Sequence, residues 1–294
     1  MARLGMVGGV VVAMLAAGWC GPASAVLVAE WTFDDGTARG VGPGGVTGTL
    51  RGGAGFAPGI SGLALSLDGT GGYVDFGTPP AAISSLTQGA ISVWFQFDRT
   101  TGPADILPIL YLGDGVGGSG HSAFVLEVGH FDPGDTKLYF TFISNNMVLP
   151  LCFDTGQNLQ PGAWYNFVGV VGPDGNTGYL NGVELTGRHY NFGTAGSTEF
   201  LDDIADPQVL WVGRGLLASF PREHYFSGLI DEVKIYDTPL TAAEIRSAYQ
   251  AVLNGQDPPA AVPEPLTMAG VLAGIGLAAR ALSARRMGKR GPSV

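Results

Sequence analysis

Cysteine is almost missing from this chain of 294 residues: Cys20 and Cys152 are the whole supply. No intramolecular disulfide can form once Cys20 leaves with the N-terminal segment described below, so the fold must hold without one. Cys152 lies in the apolar run MVLPLCF and reads as a small buried hydrophobe, not a nucleophile. Lysine is equally rare, at Lys137, Lys234 and Lys289. Six of the 15 basic residues sit at the two ends, which leaves 25 acids against 9 bases elsewhere and a net charge near −16. That sign excludes nucleic acid as a partner, because phosphate binding needs a basic surface. It is compatible with cations, with neutral sugars, or simply with an acidic exported protein.

Catalytic patterns are lacking too. His121, His130, His189 and His224 are scattered, with no zinc-type spacing. No G-x-S-x-G, Walker or HExxH motif is present. The E-x-D-x(-x)-E pattern that sets two carboxylates on one strand face is also absent. Glu127 and Asp132 are separated by a Gly-His-Phe stretch that breaks the strand, and adjacent Asp231 and Glu232 point to opposite faces of a regular strand. An enzyme is not expected.

What is present at the ends is a pair of targeting signals. Arg3, an apolar stretch over 6–19 and the Ala23-Ser24-Ala25 site form a signal peptide, 1–25, with the mature chain starting at Val26. At the other end Val262-Pro263-Glu264-Pro265 precedes an apolar segment and the basic residues Arg280, Arg285, Arg286, Lys289 and Arg290. A helix over about 266–284 would reach about 28 Å, close to one hydrocarbon thickness, with Arg280 snorkelling near its cytoplasmic end. The basic cluster keeps that end in the cytoplasm and places everything before Pro263 on the far side.

Between the ends the pattern is that of an all-β domain. In ISVWFQFD (91–98) Ile91, Val93, Phe95 and Phe97 share one face, and in 137–142 Leu138, Phe140 and Phe142 oppose Lys137, Tyr139 and Thr141. Period two with one apolar face predicts half-buried antiparallel strands. WYNFVGVV (164–171) is apolar on both faces and reads as a central strand, while Asn181-Gly182 marks a hairpin turn. Thr241-Ala-Ala-Glu244 is a capping box opening one short helix to about Val252, and 253–261 form a linker.

Asp231 is the residue most in need of a partner. In LIDEVKI a regular strand places it on one face with Leu229, Val233 and Ile235, expected to point inward, and Lys234 on the opposite face. A carboxylate there must meet either a hard cation with oxygen ligands or backbone N–H groups. For stacking on sugar rings the candidates are Trp94, Tyr139, Tyr179 and Trp211, with Trp94 foremost because it stands on the polar face of its strand; the alternative is that they fill the core.

Two resemblances follow from these phrases. The tail, with its PEP motif, small-residue apolar helix and Arg-rich end in order, resembles the PEP-CTERM sorting signal of Gram-negative bacteria, over 262–294. That resemblance implies processing by an exosortase after signal peptidase, an inner-membrane anchor before processing, and association with extracellular polysaccharide at the envelope surface or matrix. The alternative is an ordinary C-terminal anchor. WTFDDG, ALSLDGTGGYVDF, ISVWFQF, GAWYNFVGVV with GYLNGVEL, VGR and FSGLIDEVKIYDTPLTAAEI, in this order, resemble the laminin-G-like, concanavalin A-like jelly-roll family over 26–252. This implies two antiparallel sheets packed face to face, and a carbohydrate-binding or adhesion role. It also implies one structural Ca²⁺ joining the first and last strands, with Asp34 and Asp231 as ligands and Asp68 as a weaker third. A structural matrix protein that binds other proteins is the second expectation, and a polysaccharide hydrolase or lyase the third.

Overall fold

The computed structural model describes residues 25–101, 105–116, 120–130, 134–144, 148–217 and 220–255, without the side chains of 217–222. The expected sorting segment with its helix over 266–284, most of the linker, and the signal peptide up to residue 24 lie outside these residues. Among the described residues no helix is long and apolar enough to cross a membrane.

Short alternating segments separated by turns become strands. In chain order they are β1 (Leu27–Trp31), β2 (Thr49–Arg51), β3 (Gly55–Pro58), β4 (Leu63–Asp68), β5 (Tyr73–Asp75) and β6 (Gly89–Phe97). Then come β7 (Leu107–Gly113), β8 (Ala123–Val128), β9 (Leu138–Ser144), β10 (Val148–Asp154), β11 (Tyr165–Gly172) and β12 (Gly175–Leu180). The last are β13 (Val183–Glu184), β14 (His189–Phe192), β15 (Val209–Val212), β16 (Arg214–Leu217), β17 (Phe220–Tyr225) and β18 (Ser227–Tyr236). A one-turn helix α1 (Ala81–Ser84), a 3-10 turn at Leu201–Asp203 and the helix α2 (Ala242–Leu253) lie between and after the strands.

Two antiparallel sheets stack face to face. The first runs β13-β12-β11-β6-β18-β4-β3, with β1 also paired to β18; the second runs β14-β10-β9-β8-β7-β15-β5-β2. The inward residues of the alternating strands meet as expected: Ile91, Val93, Phe95 and Phe97 from β6 face Leu138, Phe140 and Phe142 from β9 in one core. Phe140 touches Phe124, Phe142, Phe153 and Phe167 within ring-centroid distances of 5.0 to 6.0 Å. Cys152 is fully buried, and burial pushes its thiol up to about 12, so it is no nucleophile near neutral pH.

β11 is central in the first sheet because both its faces are covered. Phe167 and Val171 join the core, while Val168 and Val170 pack beneath α2 with Ala90, Tyr179 and Ile245. Helix α2 starts where the sequence places it: Thr241 Oγ accepts from the Glu244 N–H and the Glu244 carboxylate accepts from the Thr241 N–H, satisfying two orphan donors. Asn181 (φ 52°) and Gly182 (φ 75°) make the turn between β12 and β13, both left-handed as a two-residue hairpin turn requires. β16 and β17 belong to neither sheet; they form a two-stranded ribbon that continues from β15 and packs on β7.

Candidate functional site

The one irregular strand carries the residue that needed a partner. β18 pairs with β6 along its length, but on its other side it pairs with β4 over Ser227 to Ile230 and with β1 from Val233 onward. At that seam Asp231 lies opposite Trp94 and Lys234 opposite Ser92, so β18 holds one residue more than β6, and Glu232 takes φ 50°. This is a bulge, and it reverses the pleat. Ile230, Val233 and Ile235 point into the core, whereas Asp231, Trp94 and Lys234 share the outward face. The expectation that Asp231 points inward with Val233 and Ile235, and opposite Lys234, is therefore corrected: a period-two reading cannot see an inserted residue.

Asp231 is nonetheless fully buried, because the turn between β3 and β4 folds over it. Its Oδ2 accepts from the N–H groups of Ile60 (3.2 Å) and Ser61 (3.4 Å), and its Oδ1 from Glu232 (2.9 Å). Asp34, from the loop after β1, holds the same turn by accepting from the Leu63 N–H at 3.0 Å. A Cβ on Gly59 would stand 2.4 Å from Asp231 Oδ2, and one on Gly62 2.0 Å from Asp34 Oδ1, so both positions need glycine. Burial, then the charge of Glu232 and that of Asp34, push the Asp231 carboxyl up to about 8.

Those observations test the expected Ca²⁺ site. Two carboxylates converge on one turn, in an under-neutralised acidic pocket, which is the start of an oxygen shell. Asp68 is not part of it. Its carboxylate accepts from Thr70, Gly71 and Gly72 in its own turn, and those bonds hold it down at about 2. Among the described residues no group of three or more His, Cys, Asp or Glu could hold a metal, so carbonyl oxygens would have to complete the shell.

The four aromatic candidates are all covered. Trp94 is 3% exposed and lies flat against Tyr249 of α2, centroids 5.2 Å apart and planes 4° apart. Tyr179 is buried under the same helix. Tyr139, on β9, donates to Asp135 and receives from Lys137 Nζ at 3.1 Å. Trp211 is stacked on Tyr111 at 5.1 Å, with the Arg214 guanidinium 4.0 Å above it. No ring of the four presents an open face to a sugar: helix α2 covers Trp94 and Tyr179, Arg214 of the ribbon covers Trp211, and Tyr139 is buried beside Asp135, Lys137 and His130.

Cross-strand register reveals polar residues that sequence spacing did not. Glu127, Tyr139, Asp154 and His189 stand opposite one another on β8, β9, β10 and β14, in one row on the outward face of the second sheet. His130 bonds the buried Glu127, whose Oε2 has no hydrogen-bond partner among the described residues. Asp154 Oδ2 accepts from Asn191 at 2.9 Å and lies 3.4 Å from His189 Nδ1. His121 pairs with Asp114 at 3.0 Å and His224 with Asp105 at 3.2 Å. Each of the four scattered histidines thus meets a carboxylate on this side of the molecule. The alternation of Lys137, Tyr139 and Thr141 was the available signal; the partners are 12 to 50 residues away.

A family model for the concanavalin A-like lectin/glucanases superfamily matches residues 68–246, most of the sandwich. The chain belongs to that superfamily. Structures of the superfamily fold agree with the two-sheet architecture. Domain 4 of AbnA, a GH43 extracellular arabinanase from Geobacillus stearothermophilus in complex with arabinotriose, superposes with a TM-score of 0.55 at 21% identity, over 76% of this chain and 98% of that one. A Trypanosoma rangeli sialidase in complex with 2,3-difluoro-KDN gives 0.51 at 16% identity, over 78% of this chain and 33% of that one. Botulinum neurotoxin type C, whose cell entry depends on two ganglioside molecules, gives 0.54 at 13% identity, over 78% and 51%. At these identities the likeness concerns the fold, and the chain spans about a third of the sialidase and half of the neurotoxin chain. A search of curated protein sequences returns no match.

Proposed function

We propose that this superfamily member is an exported, non-catalytic carbohydrate-binding or adhesion protein associated with extracellular polysaccharide. The observation that carries the reading is the match over nearly the whole of domain 4 of the arabinanase, a module whose structure holds arabinotriose. Fold alone does not set function, so the site chemistry must agree. The acidic, lysine-poor sandwich suits a neutral ligand, and Glu127 and Asp154 are too deeply buried, at 0% and 1% exposure, to flank a glycosidic bond.

The targeting signals complete the proposal. Signal peptidase removes 1–25, and an exosortase acts on the segment from Val262-Pro263-Glu264-Pro265 to Arg290, held in the inner membrane until then. The domain then remains at the envelope surface or in the extracellular matrix of a Gram-negative cell. One Ca²⁺ on Asp34 and Asp231 would tie the loop after β1 to β18 and relieve the acidic pocket; its role is structural.

A glycan array probed with purified protein, with and without Ca²⁺, tests the reading. Binding to one class of neutral glycan is expected. A blank array together with capture of matrix proteins would replace it by the structural-protein reading. Release of reducing ends from polysaccharide would replace it by a hydrolase.

A further inference from the structure

Near the β2 edge of the second sheet, where it meets the ribbon, two tyrosines remain within reach of solvent. Tyr73 on β5 and Tyr225 on β17 are half-buried, with centroids 6.1 Å apart and planes inclined by 47°. Trp211 stands behind Tyr73, edge to face at 6.2 Å, and fixes its ring. Two arginine–carboxylate pairs bracket the rings. Arg51 Nη2 meets Asp75 Oδ2 at 3.3 Å on the outer side, and Arg214 Nη2 meets Glu223 Oε1 at 2.5 Å on the ribbon side. Arg214 also donates to the Tyr73 hydroxyl at 2.9 Å, with its guanidinium carbon 4.9 Å from that ring's centre. Its Nε–H, out of contact with water, has no partner among the described residues.

We propose that this Tyr73–Tyr225 patch is the glycan-binding site, with a neutral oligosaccharide as its ligand. The inference rests on the carbohydrate-binding reading above and gives it an address. Aromatic rings offer flat faces to the C–H side of a pyranose or furanose ring, and a few fixed polar groups orient it. Here those groups come as donors beside acceptors: Arg51 with Asp75 and Arg214 with Glu223 can each engage neighbouring hydroxyls. The charges cancel within each pair. An anionic sugar would meet Asp75 and Glu223 inside an already acidic domain, so the patch favours a ligand without charge. Trp94, Tyr139, Tyr179 and Trp211 are sealed, while these two rings sit where β5, one strand in from the sheet edge, meets the ribbon.

Isothermal titration of the full chain tests the proposal with arabinotriose, cellotetraose and xylotetraose as probes and a tetra-uronate as the charged comparator. Wild type should bind at least one neutral probe more tightly than the uronate. Tyr225→Ala and Tyr73→Ala should each weaken that binding at least tenfold, whereas Tyr225→Phe should stay within about threefold, because the stacking face is kept. Arg51→Ala, on an exposed side chain, should weaken it without moving the melting temperature, and guards against a variant that merely unfolds. Neutral-glycan binding that is unchanged in both alanine variants overturns this site while leaving the carbohydrate reading standing. Preference for the uronate overturns the neutral ligand, and no binding to any glycan on the array removes both.

Discussion

The two outward faces of the sandwich are built differently. On the first sheet, α2 lies across β6, β11 and β18, and the polar groups beneath it are locked into one another. Lys234 Nζ stands 2.8 Å from Glu30 and 2.7 Å from Glu232, and the crevice beside Trp94 and Tyr249 holds only about 20 Å³, room for a water. On the second sheet the cover consists of the ribbon and of polar side chains paired one by one, and near its edge aromatic rings reach solvent. The contrast sets a face sealed by helix and ion pairs against one that keeps aromatic rings within reach of solvent.

The comparison breaks most easily at Lys234. Lys234→Ala should cost about 3–5 kcal/mol, since it leaves the buried Glu232 and the partly buried Glu30 without a cation; a urea titration measures it. Glycan affinity in the folded fraction should not change. Trp94→Ala should cost about 3 kcal/mol through the cavity left under Tyr249, again at constant affinity. A variant at Trp94 that kept its stability and lost glycan binding would move the ligand to the first sheet. For the cation, Ca²⁺ at a hundred times its Kd should stabilise the domain by about 2.7 kcal/mol, and chelator should reverse this. Asp231→Asn should abolish the response, whereas Asp68→Asn should retain it. An equal response in Asp231→Asn places the ion elsewhere.

The smallest expected effect belongs to the second face. Burial works against a charged His130, but the charge and hydrogen bond of Glu127, with the charge of Asp135, outweigh it and hold the imidazole above its usual value of 6.5. A pKa raised in the folded state contributes stability that is fully present below about pH 6.5 and is lost as pH rises through the folded value. The melting temperature should therefore decline on the alkaline side of neutrality, and His130→Gln should flatten that decline. An unchanged slope would mean that the Glu127 pair carries no titrating charge.

How far each face was legible follows from the range of the signals involved. Alternation is local, so the inward residues of β6 and β9, the Asn181-Gly182 turn and the Thr241–Glu244 cap could be read directly from neighbouring residues. Burial of an outward face is not local. Nothing in ISVWFQF announces that Tyr249 lies flat on Trp94, and nothing in LIDEV announces a residue at φ 50° where β18 exchanges β4 for β1. The same limit explains Asp68, which resembles a ligand in sequence and caps its own turn in space.

The sequence by itself determined an all-β domain and its charge, and left as expectations the jelly roll, the export and sorting signals, and the absence of a disulfide once Cys20 leaves. The all-β pattern and the charge depend on composition and on periods of two residues, whereas the jelly roll and the sorting tail rest on resemblance to known families. Only the tertiary structure decided which polar and aromatic groups meet. The row Glu127–Tyr139–Asp154–His189, the turn shared by Asp34 and Asp231, and the patch of Tyr73 and Tyr225 are assembled by strand register between distant segments. The closing of one face by α2 and the partial opening of the other likewise belong to packing, which no local pattern encodes.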